Sequence, residues 1–225
     1  MAQKRIRLID IAKELNVSVG LVSLVLGGKA KENRIGDAIS KKVLRKAKEM
    51  GYQANQIARG LRTGKTGIIG LIVADIANPY FGQMARCLEN EAAKSGYQVM
   101  FGSSDEDEFK LNQLVNVFLS RQVDGMIVVP VKNSQKILYK IKDQSIPVVL
   151  IDRYCDDLDE DYVCSDNFEG SFQLNTLLLS KGYRKIAAFV YDTDVTNLRD
   201  RIMGYVSAVR NKMPSDNLDD LIFEV

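Results

Sequence analysis

The sequence predicts an α/β protein that begins with a small all-helical unit. Three observations carry this. In residues 1–53 the apolar positions recur at helical spacing, with no period-2 run. From residue 67 onward, short apolar runs alternate with longer amphipathic stretches, which implies a parallel sheet covered on both faces. The charge divides at the same place: residues 1–65 hold 15 Lys+Arg against 5 Asp+Glu, a net of +10, whereas the remaining 160 residues hold 16 against 24, a net of −8. The overall +2 therefore conceals a basic arm on an acidic body, and a polyanion suits the arm alone.

The first helix is marked by Ile11, Ala12 and Leu15. Asn16 suits the turn that follows, because it tolerates a left-handed backbone. Ser18 can cap a second helix whose Leu21, Val22, Val25 and Leu26 form the buried stripe. Two short helices around a tight turn read as a helix-turn-helix, whose second helix enters a DNA major groove. An ordinary αα-hairpin has the same pattern, and the surrounding charge favours DNA. A third helix carries Val43, Leu44, Ala47 and Met50 among Lys41, Lys42, Arg45, Lys46 and Lys48, and stops at Gly51.

Residues 54–66 are not the Gly/Ser tract of a plain linker. Ile57, Ala58 and Leu61 share one side of a predicted one- to two-turn helix, too short to hold without a partner. The body follows, with strands predicted at 68–73, 98–102, 125–129 and 147–151 and helices at 81–95, 108–121 and 134–143. After an acidic loop, Asp156 to Asp161, come a helix at 168–180, a strand at 186–190, a helix at 197–211 and a strand at 221–225. The expected divisions are 1–53, 54–66 and 67–225, the last made of a first subdomain to about 152 and a partial second one.

Several function classes lose support. There is no histidine, which removes His-dependent triads and most zinc sites. Residues 60–66 resemble a P-loop but are one residue short between glycines and precede a strand. Cys87, Cys155 and Cys164 lack paired metal spacing, and an odd count suits a reducing compartment. The acidic run lacks the alternation and glycine of a calcium loop. No apolar run reaches the ~18 residues of a membrane span. The expectations are no catalytic constellation, no cofactor or metal, no membrane, and a cytoplasmic, nucleoid-associated protein.

Asp10-Ile11-Ala12, Val17-Ser18, Val22-Ser23, Gly51-Tyr52, Asn55, Ile57-Ala58-Arg59 and Leu61-Arg62-Thr63-Gly64 together resemble the lac repressor/gal repressor (LacI/GalR) family of bacterial transcription regulators. The likeness continues through Asn78-Pro79-Tyr80-Phe81, Asp124-Gly125-Met126-Ile127, Ile151-Asp152-Arg153, Ser165-Asp166-Asn167 and Gly182-Tyr183, in the family's order. It implies a periplasmic-binding-protein-like body of two α/β subdomains, the second incomplete in this sequence. It also implies a homodimer on a double-stranded DNA operator, with a small-molecule effector such as a sugar or nucleobase. A solute-binding protein shares the body fold and is the alternative; the basic helical unit argues against it.

The resemblance implies that the linker helices of two subunits fold together on the operator, with Leu61 wedged into the minor groove beside Ala58 and Asn55 near a phosphate. The DNA-contacting set is Arg7, Leu8, Ser18, Val19, Gly20, Ser23, Leu24, Lys29, Arg34, Asn55, Ala58, Leu61 and Arg62. Val19, Gly20 and Leu24 stand where the family commonly has polar base readers. Either readout shifts to thymine methyls, DNA shape and the linker helix, or Leu24 closes the small core and the bases are read weakly. The loop at 27–36 supplies phosphate contacts through Lys29, Lys31 and Arg34, or is simply solvated. The effector-contacting set is Asp75, Tyr80, Phe81, Ser103, Asp152 and Arg201, at strand ends where such sheets bind ligands. Phe81 would stack on the ligand, and Asp152 and Arg201 would hydrogen-bond it. Helix-start packing for the two aromatic residues, and a surface ion pair for Arg201, are the competing readings.

Overall fold

A computed structural model describes residues 6–52, 64–191, 194–212 and 221–224. The chain forms two compact units, residues 1–58 and 59–225. In the first, α1 (Leu8–Leu15), α2 (Val19–Leu26) and α3 (Asp37–Glu49) enclose a core of Ile11, Val22 and Val43. Asn16 ends α1 in the left-handed region (φ 50°), and its N–H returns to the carbonyls of Ala12 and Lys13. Ser18 Oγ then accepts the Leu21 N–H at 3.1 Å, so one short polar side chain starts α2 as its capping chemistry predicts. Gly36 caps α3 with no side-chain bond, and Gly51 (φ 67°) stops it, with Tyr52 N–H on the Ala47 carbonyl. Ala30 and Ile35 tuck against the core, which shapes the loop between α2 and α3.

The second unit is built on a parallel five-stranded sheet in the order β2-β1-β3-β4-β5. Its strands are β1 (Ile68–Val73), β2 (Gln98–Ser103), β3 (Gly125–Val128), β4 (Val148–Ile151) and β5 (Asp161–Val163). In register, Leu71 stands beside Phe101 on one side and Ile127 on the other. The pleat sends alternate residues to opposite faces. Ile72, Met126, Val128 and Leu150 meet Leu111, Val115 and Phe118 of α5 (Glu108–Ser120) and Leu138 and Ile141 of α6 (Gln135–Asp143). Leu71, Val73 and Val129 meet Phe81, Met84 and Leu88 of α4 (Pro79–Lys94). Asn78 caps α4 with Pro79 at its first position, and Asp107 caps α5.

Beyond β4, α7 (Asn167–Ser180) packs closely on α8 (Thr196–Lys212). Gly204 makes this possible: a Cβ there would lie 2.3 Å from the Phe168 carbonyl oxygen. A second sheet pairs β6 (Ala188–Val190) with β7 (Ile222–Glu224), also in parallel. One element departs from the sequence reading. The acidic segment does not run on as a loop through Asp161, because Asp161–Val163 adds to β4 as an edge strand. Its three exposed residues carry no apolar alternation, so pairing alone defines it. Among the described residues, no helix is long and apolar enough to cross a membrane.

Candidate nucleic-acid interface and effector cleft

Nine of the predicted contact residues lie in the described part of the helical unit, six of them exposed and three half-buried. Ser18, Val19 (41% exposed) and Gly20 open the exposed start of α2, and Ser23 and Leu24 follow half-buried one turn on. Leu24 lies outside the core cluster, whereas Leu21 and Leu26 pack against it. Arg7 is exposed beside the half-buried Leu8; its N–H donates to Asp10 Oδ2 at 2.8 Å. Lys29 and Arg34 are exposed in the following loop, Arg34 with a left-handed backbone (φ 53°). Asn55, Ala58, Leu61 and Arg62 lie outside the described residues.

Where the body begins, Asp124 anchors the chain. Its carboxylate accepts the N–H of Thr66 (2.7 Å) and of Gly67 (2.8 Å) and the Thr66 hydroxyl (2.9 Å). Burial pushes its pKa upward, but the two backbone donors and the hydroxyl outweigh this and hold it below the ordinary carboxylate value.

The second cluster forms around Asp152, just past β4. Its backbone is left-handed (φ 69°), a conformation uncommon outside glycine, and its carboxylate is buried. Oδ1 accepts the Tyr80 hydroxyl at 3.0 Å, and Oδ2 accepts the Asn197 amide at 3.1 Å. Tyr80 comes from α4 and Asn197 from α8, so one carboxylate ties the first subdomain to the second. Burial, then the bond to Asp152 and its charge, raise the Tyr80 pKa; the nearby Arg201 charge opposes this.

Arg153, 7% exposed, donates to both oxygens of Glu106 (2.7 and 2.6 Å) and to the Pro130 carbonyl (3.1 Å). Glu106 and its neighbour Asp105 also hold left-handed backbones, which concentrates strained conformations at this corner. Arg201 donates through Nε to Asn167 Oδ1 at 2.7 Å. Cys164 sits among carboxylates: burial, then Asp200, Asp152 and Asp166, raise its thiol pKa, which disfavours the reactive thiolate. Farther along α8, Arg199 makes two bonds to Asp156 (2.7 and 3.0 Å), and Tyr154 bonds Asp200.

Tyr80, Asp152 and Arg201 are thus brought together. Asp75 and Ser103 occupy adjacent strand ends and are engaged locally, Asp75 by the Ala77 N–H and Ser103 by the Ile76 N–H and Asp105. Phe81 corrects the sequence reading: at 4% exposure it is a core residue against Leu71, Val73, Ala74 and Val129, leaving no ring face open for stacking. The exposed ring at this corner is Tyr80, at 47%. Glu106 and Asn197 were not singled out from sequence, and Asn167 entered only as part of the resemblance and not as a site residue; their local signal was position near strand and helix ends.

The family described as periplasmic binding protein domain matches residues 69–218. The HTH-type transcriptional regulator DegA of Bacillus subtilis is 32% identical over 203 residues, covering 89% of this chain and 59% of its own length. The ribose operon repressor of Halalkalibacterium halodurans is 33% identical over 204 residues, covering 90% and 59%. The chain thus spans about three fifths of the length of these relatives. Among solved structures, the lac repressor dimer bound to operator and an anti-inducer superposes with a TM-score of 0.80 at 19% identity, over 98% of this chain and 66% of that one; this likeness concerns the fold. The chain belongs to the periplasmic binding protein domain family.

Proposed function

We propose that the protein is a sequence-specific DNA-binding transcriptional regulator, a repressor by its relatives' habit, whose operator affinity responds to a small sugar-like effector. The observation that carries this reading is the pairing, in one chain, of a helix-turn-helix within a cationic helical unit and a polar cluster that joins two subdomains through Asp152. Arg7, Lys29 and Arg34 contact phosphates together with Ser18 and Ser23, while Leu8, Val19, Gly20 and Leu24 meet base edges and thymine methyls. Asn55, Ala58, Leu61 and Arg62 engage the minor groove when two linkers fold together. A homodimer supplies the second half-site.

In the body, Asp152 accepts a ligand hydroxyl and Arg201 donates its terminal nitrogens. Tyr80 supplies the aromatic wall that Phe81 does not, with Asp75 and Ser103 framing the strand ends. The ribose operon repressor among the relatives makes a monosaccharide the first ligand to try. Effector binding shifts the population between two subdomain angles, only one of which lets the paired linkers fold on DNA. Such a shift requires different affinities for the two states.

Selection of bound duplexes from a random pool, with and without sugars, tests the reading. An enriched near-palindrome whose recovery changes with a sugar supports it, and no enrichment at low salt sinks it. Leu61→Ala sharpens the result: affinity for the selected site falls at least about tenfold, or about 1.4 kcal/mol, with a smaller loss on random DNA. Equal losses on both would make Leu61 a spacer.

A further inference from the structure

The exposed start of α2 offers little to base edges, because Val19, Gly20 and Leu24 have no hydrogen-bonding side chains. Affinity for a duplex then leans on phosphates. The most cationic element of the helical unit is α3, with Lys41, Lys42, Arg45, Lys46 and Lys48 against Asp37 and Glu49. Val43 and Ala47 face the core. Lys41, Arg45 and Lys48 recur at i, i+4 and i+7 on the opposite side, all exposed, beside a Leu44 that is 52% exposed.

Lys41, Lys42 and Lys48 have no acidic partner among the described residues. Arg45 meets Glu49 at 3.6 Å, an exposed pair that solvent screens and that Lys46 shares at 3.3 Å. The core of the unit needs none of these charges. From Lys41 to Lys48 the helix rises about 10 Å, the axial rise of about three phosphates along one DNA strand.

We propose that the outward face of α3 is a second phosphate-binding surface, which grips duplex DNA without regard to base sequence and is separate from the face that α2 presents. The inference rests on the reading of the helical unit as DNA-binding and adds a component that strengthens every site equally. Its occupant is the phosphate backbone: Lys41, Arg45 and Lys48 lie along one exposed helix face and meet a row of negative charges, and phosphate contacts carry no sequence information.

The test compares the 225-residue chain with its K41Q/R45Q/K48Q variant on a 30-base-pair duplex of arbitrary sequence, across a series of KCl concentrations. Far-UV circular dichroism checks the helices. Each lost phosphate contact lowers the slope of log affinity against log salt by about 0.9, so the triple variant loses about 2.7. A control variant, K136Q/K181Q/R210Q, removes the same charge from exposed positions of the body and leaves the slope unchanged. An unchanged slope in the α3 variant, or an equal fall in the control, overturns the proposal. If the triple variant fails to fold, K41Q and K48Q singly each lower the slope by about 0.9, and no change in either overturns it. Failure of the unaltered chain to bind any duplex at low salt would take the DNA reading down as well; intact binding with an unmoved slope sinks the α3 surface alone.

Discussion

The surface of α2 and the cluster around Asp152 put polar chemistry to work in opposite ways. On α2, Val19 and Gly20 are displayed to solvent, and the side-chain bond beside them is the local cap in which Ser18 Oγ accepts the N–H of Leu21, three residues on. Around Asp152, the central side-chain bonds join distant parts of the chain: Tyr80 is 72 residues away, Asn197 is 45, and the Arg153–Glu106 pair spans 47. A surface that awaits a partner can be made from local structure. A cluster that joins two subdomains must be assembled by the fold, with its polar groups drawn from different elements; among the described residues, Arg153 Nε and Asn197 Oδ1 stay buried without a hydrogen-bond partner.

The largest expected effect falls where α7 and α8 meet. Gly204→Ala forces a Cβ against the Phe168 carbonyl, and the second subdomain should lose about 3 kcal/mol. Urea denaturation followed on the body should show it, with the helical unit's transition unmoved. Glu106→Ala comes next. It strands the buried Arg153 guanidinium, whose contact with Asp152 is only 3.6 Å, and should cost about 2 kcal/mol, less than a fully buried pair because Glu106 itself is partly exposed. A change below about 0.5 kcal/mol would mean that the pair is dispensable, and would weaken the contrast between wired cluster and displayed surface.

Smaller effects sharpen the comparison. Asp124 has a folded-state pKa below its unfolded value of about 3.9, so its contribution is complete above that value and is lost as pH falls through the depressed one. Asp124→Asn should cost about 1 kcal/mol at neutral pH and flatten the acid limb of the body's stability curve. An acid limb as steep as before would assign the dependence to other carboxylates. Ser18→Ala should cost about 1 kcal/mol, confined to the helical unit. If it shifted the body's transition too, the two units would not be thermodynamically separate.

Most of the helical unit was legible along the chain. Asn16, Ser18 and Gly51 act on their own backbone neighbours, and the stripe Leu21, Val22, Val25, Leu26 has a single way to face inward. In the body the alternation of strands and helices was equally plain. Legibility failed at Tyr80 and Phe81, because two adjacent aromatics at a helix start offer two choices and only packing on Leu71 and Val129 decides which ring is buried. It failed also at β5, where three exposed residues become a strand solely because β4 lies beside them.

The sequence by itself determined the helical turns and their caps, the strand–helix alternation and the split of charge, since each depends on residues within a few positions of one another. Tertiary structure decided which carboxylate joins the subdomains, which aromatic ring stays open, and what holds Arg153 and Arg201. Those outcomes turn on bonds between residues 34 to 72 positions apart, whose meeting depends on packing that no local pattern encodes.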